Sequence, residues 1–471
     1  MSRISHCQIE FHPHSYGDPD GRLFWWNGQL YRAISPERAP FFTKLFEDGT
    51  IRQLVEQGLL VGSELTEFTL DGYGLVVHHQ TVPFPSYPNE WSPVMFRDAA
   101  LAYIELCQAL MPRGLVLKDS HPWNILFDGY KPVYVDLTSI RPRTAECEYP
   151  PYFKFCRYYL YPLILMSQGK DRIARYLMPE YEGILESDIL LLMSEGSLSE
   201  LIRSKMQRGK TFLRGVMPRR MSHLAGVSLK SVNSFFCQKR FAPSSPLRYL
   251  QYLRGELEKI DLPSVRSNHL SNDPQLTAAG LAQNLGAAKG EALRKILSDL
   301  KPESVLNIAA GAGWYSKLAS SLGSKVVSFN TNPLHASRIY EYARDNKLSI
   351  LPLVMDFTDP TPARGLASHS SIAAAERLRC ELVLGLSLLP HVVVKRKLNF
   401  EQIVEGLARF SKRSLILEFA TLDSGELSPS EASQFPWYTL ENLTNILRKH
   451  FRTVYIRQID GAPGVLLECA K

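Results

Sequence analysis

The chain has 471 residues, of which 45% are hydrophobic and 21% are charged. This composition excludes an intrinsically disordered chain, and the length is sufficient for two or three domains that each bury a core. No stretch reaches the ~20 uninterrupted apolar residues of a membrane-spanning helix, and the first residues hold no apolar run of signal-peptide length. We therefore expect a cytoplasmic protein without a membrane span.

Neither the cysteines nor the pair His12 and His14 predict a metal site. The seven cysteines are odd in number and widely spaced without a Cys-x-x-Cys pair, which argues against a disulfide framework and a zinc knuckle. His12 and His14 lie close in sequence to Asp18 and Asp20, but the intervening Pro13 indicates a surface loop. We predict no metal cluster, and we interpret the cysteines as core thiols.

Residues 115–140 resemble the catalytic segment of protein-kinase-like and aminoglycoside-phosphotransferase-like folds. Asp119, Asn124 and Asp136 stand where those folds place a catalytic base, a metal-binding Asn and a second metal-binding Asp. Phosphoryl transfer needs a carboxylate that accepts the proton of the acceptor hydroxyl, while an amide oxygen and another carboxylate hold magnesium on the phosphates. The pattern predicts an α+β kinase-like first domain, with Mg-ATP as a candidate cofactor.

Two departures from that pattern keep a second interpretation open. Leu117 replaces the His that usually stands two positions before the first Asp. Residues 1–80 hold no convincing glycine-rich phosphate loop and no Val-Ala-Ile-Lys-like lysine, for which Arg32 is the best substitute. The alternative is a kinase-like scaffold that serves packing or substrate binding without phosphoryl transfer.

The net charge of +7 is concentrated in residues 201–255, which hold twelve Lys and Arg and no Asp or Glu. Such a segment suits a phosphorylated substrate, an anionic glycan or lipid, or RNA, and it is equally compatible with a solvated basic face. No nucleic-acid module is recognisable, so nucleic acid is not favoured as a partner. We hypothesise that the segment faces the cleft between the two halves and attracts an anionic acceptor. In that case salt, or neutralising Arg219 and Arg220, should weaken acceptor binding.

The sequence predicts a division of the chain near residue 260. Residues 246–260 have the pattern of an amphipathic helix, and residues 261–275 are rich in Ser, Asn, Asp and Pro, as linkers are. The predicted domains are a kinase-like domain at 1–255 with a basic helical extension at 201–255, a helix end and linker at 256–285, and a further domain at 286–471.

A cofactor turn is predicted at residues 305–316. An apolar strand runs into Gly311-Ala312-Gly313 and then into a helix, and glycines there let backbone N–H groups approach a ligand. The next two predicted strands end at Asn330 and Asp356. A glycine turn, then a polar residue after the second strand and an acid after the third, is typical of class I S-adenosylmethionine (SAM) methyltransferases. A dinucleotide site instead favours a third glycine where this chain has Ser316.

The C-terminal domain is predicted to be α/β and Rossmann-like, with a mostly parallel seven-stranded sheet. Strands alternate with helices, and residues 451–458 and 465–470 have the pattern of a closing antiparallel hairpin. Ligands of such sheets lie beyond the carboxyl ends of the strands. The predicted cofactor-binding residues are Asn307, Gly311, Gly313, Asn330 and Asp356. The candidate catalytic residues are His391, as a base, and Glu418, with Asp423 as a further candidate near Glu418.

Several blocks of the sequence resemble a bacterial family of two-part SAM-dependent methyltransferases, which includes proteins described as rhizobial host-specificity nodulation methyltransferases. The blocks are Ser86–Trp91, Asp98–Leu101, Leu117–Asn124, Pro132–Asp136, Phe153–Arg157, Tyr161–Leu163, Leu351–Pro362 and Leu417–Phe419. The resemblance implies a class I methyltransferase fused to a kinase-like N-terminal region, and it gives no firm substrate. The chain departs from the family at Asn307 and Ala309, where the family has Asp and Gly, at Asn330, where an acid is usual, and at Pro390-His391, where the family has two His.

Two functional hypotheses follow from these features. The first is an O- or N-methyltransferase that uses SAM on a small-molecule or glycan-type metabolite, with the kinase-like half binding or phosphorylating the acceptor. The second is a non-catalytic scaffold in which both domains have lost their chemistry, as Leu117, Asn307 and Asn330 suggest. A neutral hydrogen bond in place of a charged one loses on the order of 1 kcal/mol, so SAM binding remains the favoured expectation.

Overall fold

The computed structural model of the protein describes residues 2–12, 15, 17–144, 152–180, 182–192, 246–263, 287–368, 370–420, 434–459 and 464–471. By their contacts, the described residues form two compact units. Unit 1 comprises Met1–Met95, Leu126–Val135 and Ser264–Lys471, and unit 2 comprises Phe96–Ile125 and Asp136–Pro263. This division differs from the predicted linear boundaries, because the first 95 residues group with the C-terminal part of the chain.

The helices and strands are numbered in chain order. The α-helices are α1 (Ala39–Glu47), α2 (Thr50–Glu56), α3 (Pro93–Leu110), α4 (Tyr152–Phe155), α5 (Tyr161–Ser167), α6 (Asp171–Leu177), α7 (Glu186–Leu192), α8 (Pro246–Glu258), α9 (Ala287–Leu300), α10 (Trp314–Ser321), α11 (Pro333–Asp345), α12 (Ala374–Arg377), α13 (Leu389–Arg396), α14 (Phe400–Phe410) and α15 (Leu440–Leu447). The strands are β1 (Arg3–Ile4), β2 (Glu10–Phe11), β3 (Gly21–Trp26), β4 (Gln29–Ile34), β5 (Ser63–Leu65), β6 (Thr69–Leu70), β7 (Leu75–His79), β8 (Leu115–Leu117), β9 (Ile125–Asp128), β10 (Lys131–Tyr134), β11 (Ile140–Pro142), β12 (Ser304–Asn307), β13 (Lys325–Asn330), β14 (Ile350–Val354), β15 (Cys380–Gly385), β16 (Ser411–Ala420), β17 (Thr453–Gln458) and β18 (Gly464–Ala470).

The first sheet of unit 1 has five antiparallel strands in the order β2-β3-β4-β7-β5. Side chains alternate between the two faces of a strand, so Tyr31 and Ala33 of β4 share one face with their register neighbours Phe24 and Val76. These four residues are buried in one apolar cluster, in which the rings of Phe24 and Tyr31 stack at 5.6 Å. One face of this sheet is therefore an ordinary hydrophobic core.

The second sheet of unit 1 has seven strands in the order β14-β13-β12-β15-β16-β18-β17. The strands from β14 to β16 are parallel, and β18 is antiparallel to both of its neighbours. Residues 304–307 and 350–354 are buried along their whole length, as strands covered by helices on both faces are. The carboxyl ends of the parallel strands lie at one edge of the sheet, and the order in which the chain visits the strands reverses between β12 and β15.

Aromatic and charged contacts join the N-terminal residues to the C-terminal part within unit 1. The ring of Trp91 packs edge-on against Phe127 at 5.0 Å, and Phe127 packs against Tyr340 of α11 at 5.8 Å. Glu90 forms an ion pair with Arg377 of α12, and both side chains are almost fully buried. These contacts explain why residues 1–95 do not separate from the C-terminal sheet.

Unit 2 is mainly helical. The rings of Tyr103 on α3 and Tyr159 stack at 5.4 Å, and Tyr159 lies in a π-helical turn, Cys156–Leu160, between α4 and α5. Arg254 of α8 pairs with Glu105 of α3 at 3.1 Å. Most of the basic stretch 201–255, including Arg219 and Arg220, lies outside the described residues. In the described part of the chain, no helix has the length and apolar character to cross a membrane.

Candidate functional site

The turn between β12 and α10 contains two glycines with positive φ but different surroundings. Gly311 has a φ of +49°, and a Cβ added there would meet no atom of the described residues within 4 Å. Gly313 has a φ of +79°, and a Cβ added there would lie 2.6 Å from Cγ1 of Ile339. Gly311 therefore leaves open space beside the backbone, while Gly313 permits close packing of the turn on α11. Ala309 also has a positive φ of +55°, in the left-handed region where glycine is the usual residue.

A buried polar network supports the turn from below. The side-chain amide of Asn307 donates to Oγ of Ser316 at 2.9 Å, and this hydroxyl lies 2.7 Å from the hydroxyl of Ser328. All three residues are at most 1% exposed. Asn307 therefore joins β12 to α10 and β13, and the Ser316 that replaces a third glycine takes part in the same network.

Asn330, at the end of β13, holds the turn from the side. Its Nδ2 donates to the carbonyl of Gly311 at 2.8 Å, and its Oδ1 accepts the backbone N–H of Asn332 at 3.0 Å. A carboxylate in this position could accept from Asn332 but could not donate to Gly311. The amide is thus suited to hold the glycine turn, and one amide hydrogen stays available beyond these two bonds.

Asp356 follows β14 at the same edge of the sheet. Its Oδ1 accepts the backbone N–H of Thr358 at 2.9 Å and the Thr358 hydroxyl at 2.7 Å. Its Oδ2 forms an ion pair with Arg396, the last residue of α13. Both residues are partly exposed to solvent, so a ligand amine at Asp356 would share the carboxylate with Arg396.

The two candidate catalytic residues have different environments. His391 is exposed on α13, which begins just after β15. Glu418 on β16 is 8% exposed, and its Oε1 pairs with Lys289 of α9. Its Oε2 accepts both the backbone N–H of Ser387 at 2.8 Å and the Ser387 hydroxyl. His391 is therefore accessible to an acceptor, whereas the carboxylate of Glu418 is fully engaged within the protein. Asp423 lies outside the described residues.

Ser387 and Lys289 both contact Glu418 but are not among the residues predicted from the sequence. Ser387 has a φ of +54°, an uncommon conformation for a residue with a side chain, and its position after a strand end was the only signal for it. Nothing in the sequence marks Lys289. Burial, with a smaller contribution from Glu418, raises the pKa of the Tyr315 and Tyr438 hydroxyls above their usual range. Both tyrosines therefore stay protonated near this carboxylate.

Ser139 ties together the segments that carry Asp119 and Asp136 in unit 2. β8 and β11 pair antiparallel just before and just after these segments. The backbone N–H of Asp119 donates to Oγ of Ser139 at 3.2 Å, and the backbone N–H of Ser139 donates to the carbonyl of Asp136 at 3.2 Å. Asn124 ends a short 3-10 turn, Pro122–Asn124, in the same unit. The kinase-like pattern also predicts that the side chains of Asp119, Asn124 and Asp136 converge on one cleft, and this stays a prediction. Among the described residues, no group of three or more His, Cys, Asp or Glu is arranged to hold a metal ion.

His121, within the Asp119–Asn124 motif, has a strongly shifted pKa. Its ring lies 4.5 Å from that of Tyr158, and its Nδ1 accepts the backbone N–H of Trp123 at 3.3 Å. Burial, and then the positive charge of Lys154, lower the pKa of the imidazole to about 4. The folded protein therefore favours the neutral ring, which can accept the Trp123 hydrogen bond.

We expect the His121 environment to make folding sensitive to acid. The pKa of His121 in the folded protein lies below the unfolded value of about 6.5. Its neutral ring therefore contributes fully to the free energy of unfolding above pH 6.5, and this contribution is lost as the pH falls towards 4. The loss should be about 3 kcal/mol. His121→Asn keeps an acceptor for the Trp123 N–H but does not titrate. Between pH 7 and pH 4.5, the free energy of unfolding of this variant, measured with denaturant, should therefore fall less than that of the wild type. His450→Asn, at an exposed His, should behave as the wild type does. Equal acid sensitivity of His121→Asn and the wild type would contradict this assignment.

The chain is similar to a nodulation protein and to solved methyltransferases. No family model matches the sequence. The nodulation protein NoeA of Rhizobium meliloti (strain 1021) is 22% identical over 466 residues, which cover 96% of this chain and 94% of NoeA.

Three solved structures of methyltransferases show a likeness that covers about two fifths of the chain. The magnesium protoporphyrin IX methyltransferase ChlM from Synechocystis PCC 6803, with bound SAM, is 13% identical with a TM-score of 0.29, over 41% of this chain and 83% of ChlM. The N-methyltransferase NodS from Bradyrhizobium japonicum WM9 is 11% identical with a TM-score of 0.29, over 40% of this chain and 97% of NodS. The bifunctional kinase-methyltransferase WbdD is 15% identical with a TM-score of 0.29, over 40% of this chain and 39% of WbdD.

Proposed function

We propose that the C-terminal part of the chain is a class I SAM-dependent methyltransferase. The observation that carries the proposal is the open space at Gly311, in a strand-to-helix turn at the carboxyl edge of a parallel sheet. Ligands of open α/β sheets bind at this edge, where the strand order reverses. A backbone without a Cβ at this point leaves room for a ligand next to the first N–H groups of α10.

The residues around Gly311 fit the parts of SAM, which supplies an activated methyl group when it is bound. Gly311 would accommodate the amino-acid part of the molecule along the turn. The remaining amide hydrogen of Asn330 would donate to a ribose hydroxyl, and Asp356 would accept from the adenine amine beside Arg396. Asn307 would support the turn from below. The two asparagines thus preserve a rigid turn with neutral hydrogen bonds.

In this proposal His391 and Glu418 have separate roles. Transfer of a methyl group depends mainly on holding the acceptor atom in line, and a base helps only when the acceptor must lose a proton. The exposed His391 would accept that proton. Glu418 would hold Ser387 in its left-handed conformation through two hydrogen bonds, and would thereby fix the turn that leads to His391.

The acceptor would be a small-molecule or glycan-type metabolite with negative charge, methylated on oxygen or nitrogen in the cytoplasm. The basic stretch 201–255 supports an anionic acceptor, since it has twelve cations and no acid. The kinase-like region would bind this acceptor. Phosphorylation with Mg-ATP is a second candidate activity for that region, and the hydrogen bonds of Ser139 to the segments of Asp119 and Asp136 favour it.

Calorimetry on the full chain tests these proposals. We expect SAM and S-adenosylhomocysteine to bind with one site per chain, and NAD to give no saturable heat, because the turn lacks a third glycine at Ser316. A titration with Mg-ATP tests the second activity separately. A chain that binds neither SAM nor S-adenosylhomocysteine would contradict the methyltransferase proposal and favour the non-catalytic scaffold.

A further inference from the structure

The two edges of the seven-stranded sheet in unit 1 differ in how they are covered. The edge strand β14 is buried along its whole length. The tip of the hairpin of β9 and β10 lies against its start, because a Cβ added at Gly129 would lie 3.6 Å from the backbone nitrogen of Ile350. At the opposite edge, β17 pairs with β18 on one side, and no described strand pairs with its other side. The open edge of this sheet is therefore β17.

The strand β17 has the character of an interior strand. Tyr455 and Ile456 lie on its opposite faces and are 64% and 49% exposed. Apolar residues on both faces are typical of strands that are covered on both faces. Proteins usually protect an open edge with Lys, Pro, a β-bulge or a very short strand. β17 spans the six residues Thr453–Gln458, contains neither Lys nor Pro, and pairs with β18 in an unbroken register. None of these four protections is present.

The single charged residue of β17 has a partner within the same chain. Nη2 of Arg457 donates to Oε2 of Glu468 on β18 at 3.1 Å. The register places Tyr455 directly opposite Glu468, so the rings and charges of these three residues share one face of the sheet. Because its cation is already paired, β17 does not repel a second strand of the same charge.

A second copy of β17 fits this edge. Two identical antiparallel strands pair around a twofold axis at a residue that lies opposite its own copy. With the axis at Ile456, Arg457 of each copy lies opposite Tyr455 of the other, where a guanidinium can contact the face of the ring. Val454 then lies opposite Gln458. No like charges face each other in this register, and the exposed apolar residues of both copies become covered.

We propose that the protein forms a twofold-symmetric dimer in which β17 of each copy pairs antiparallel with β17 of the other, with the axis at Ile456. The seven-stranded sheet then continues from one copy into the next. Backbone hydrogen bonds supply the attraction, as in other complexes that form by strand addition, and Tyr455 with Ile456 supplies the specificity. The proposal is independent of methyl transfer, because β17 carries none of the candidate site residues.

Sedimentation velocity of the full chain over a range of concentrations tests the proposal. We expect the wild type to reach the mass of a dimer. The double variant Tyr455→Lys with Ile456→Lys should associate about tenfold more weakly or less, because like charges then face each other at the axis. Leu366→Lys is the matched control, since Leu366 is 93% exposed in the same unit, and it should associate as the wild type does. Both substituted chains should keep the melting temperature of the wild-type monomer, because the changed side chains are exposed.

Ile456→Cys gives a second test that does not weaken the strand. Opposite residues of antiparallel strands have Cα atoms about 4.5 to 5.5 Å apart, which is within the range of a disulfide. Mild oxidation should therefore link two copies of Ile456→Cys. In Gln458→Cys the two thiols would be offset by four residues, or roughly 13 Å, and should not link. The wild type, in which Cys7 is exposed, sets the background. The proposal is wrong if the wild type is a monomer at every concentration, if the double Lys variant associates as the wild type does, or if Gln458→Cys links as readily as Ile456→Cys.

Discussion

Arg377→Met should lower the free energy of unfolding by about 3 to 5 kcal/mol, because it leaves the Glu90 carboxylate buried without a cation. The Glu90 and Arg377 side chains are 1% and 2% exposed. Arg377 also donates to the backbone carbonyls of Ile372 and Pro85, and its guanidinium lies 4.1 Å from the centre of the Tyr87 ring. The substitution therefore removes an ion pair, two hydrogen bonds and a cation–π contact together.

The residues on the Glu90 side of this ion pair also make hydrogen bonds of their own. Glu90 accepts the backbone N–H of Tyr87 at 2.8 Å, and the Tyr87 hydroxyl accepts the backbone N–H of Ile372 at 2.9 Å. Glu90 and Tyr87 belong to the block Ser86–Trp91, which resembles the methyltransferase family. The structure thus gives this block a packing role within unit 1, at a distance of 287 positions along the chain from Arg377.

Chemical denaturation of the full chain, followed by circular dichroism, measures this effect. Arg409→Met is the matched control, since Arg409 pairs with Glu405 one turn away on α14 and both are largely exposed. The pair of Arg409 and Glu405 should contribute less than about 1 kcal/mol to the free energy of unfolding. The double variant Glu90→Leu with Arg377→Met should recover part of the lost stability, because no buried charge is left alone. Equal losses for Arg377→Met and Arg409→Met would rule out a strong buried pair.

The secondary structure of the C-terminal part could be predicted from local sequence. The strand predicted to end at Asn330 is Lys325–Asn330, and the strand predicted to end at Asp356 is Ile350–Val354. The helix predicted at 246–260 is Pro246–Glu258. These elements are set by hydrophobic periodicity and by breakers such as glycine and proline, which act within a few residues.

The arrangement of the candidate site could be predicted only in part. The carboxyl ends of parallel strands bring Gly311, Asn330 and Asp356 to one edge, and this follows from strand order alone. Which atoms each side chain engages depends on partners far away in sequence. The bonds of Asn330 to Gly311, and of Glu418 to Lys289, therefore could not be read from any local pattern. The grouping of residues 1–95 with the C-terminal sheet has the same cause, because it rests on contacts such as that of Glu90 with Arg377.

The two glycines of the turn should separate ligand binding from folding. We expect Gly311→Ala to remain folded, since its Cβ meets no described atom within 4 Å, and to lose about tenfold to a hundredfold in SAM affinity because the methyl group occupies ligand space. Gly313→Ala should lower the melting temperature more than Gly311→Ala does, because its Cβ would in addition lie 2.6 Å from Ile339.

Gly323→Ala is the control for backbone strain in this experiment. Gly323 follows α10, has a φ of +97° and likewise has no described atom near its missing Cβ, so alanine there carries a similar left-handed strain of roughly 1 to 2 kcal/mol at the end of the helix away from the turn. Calorimetry with SAM and thermal melting should show Gly323→Ala destabilised like Gly311→Ala but with the SAM affinity of the wild type. If Gly311→Ala binds SAM as well as Gly323→Ala does, the cofactor does not lie along this turn, and the open space at Gly311 has another use.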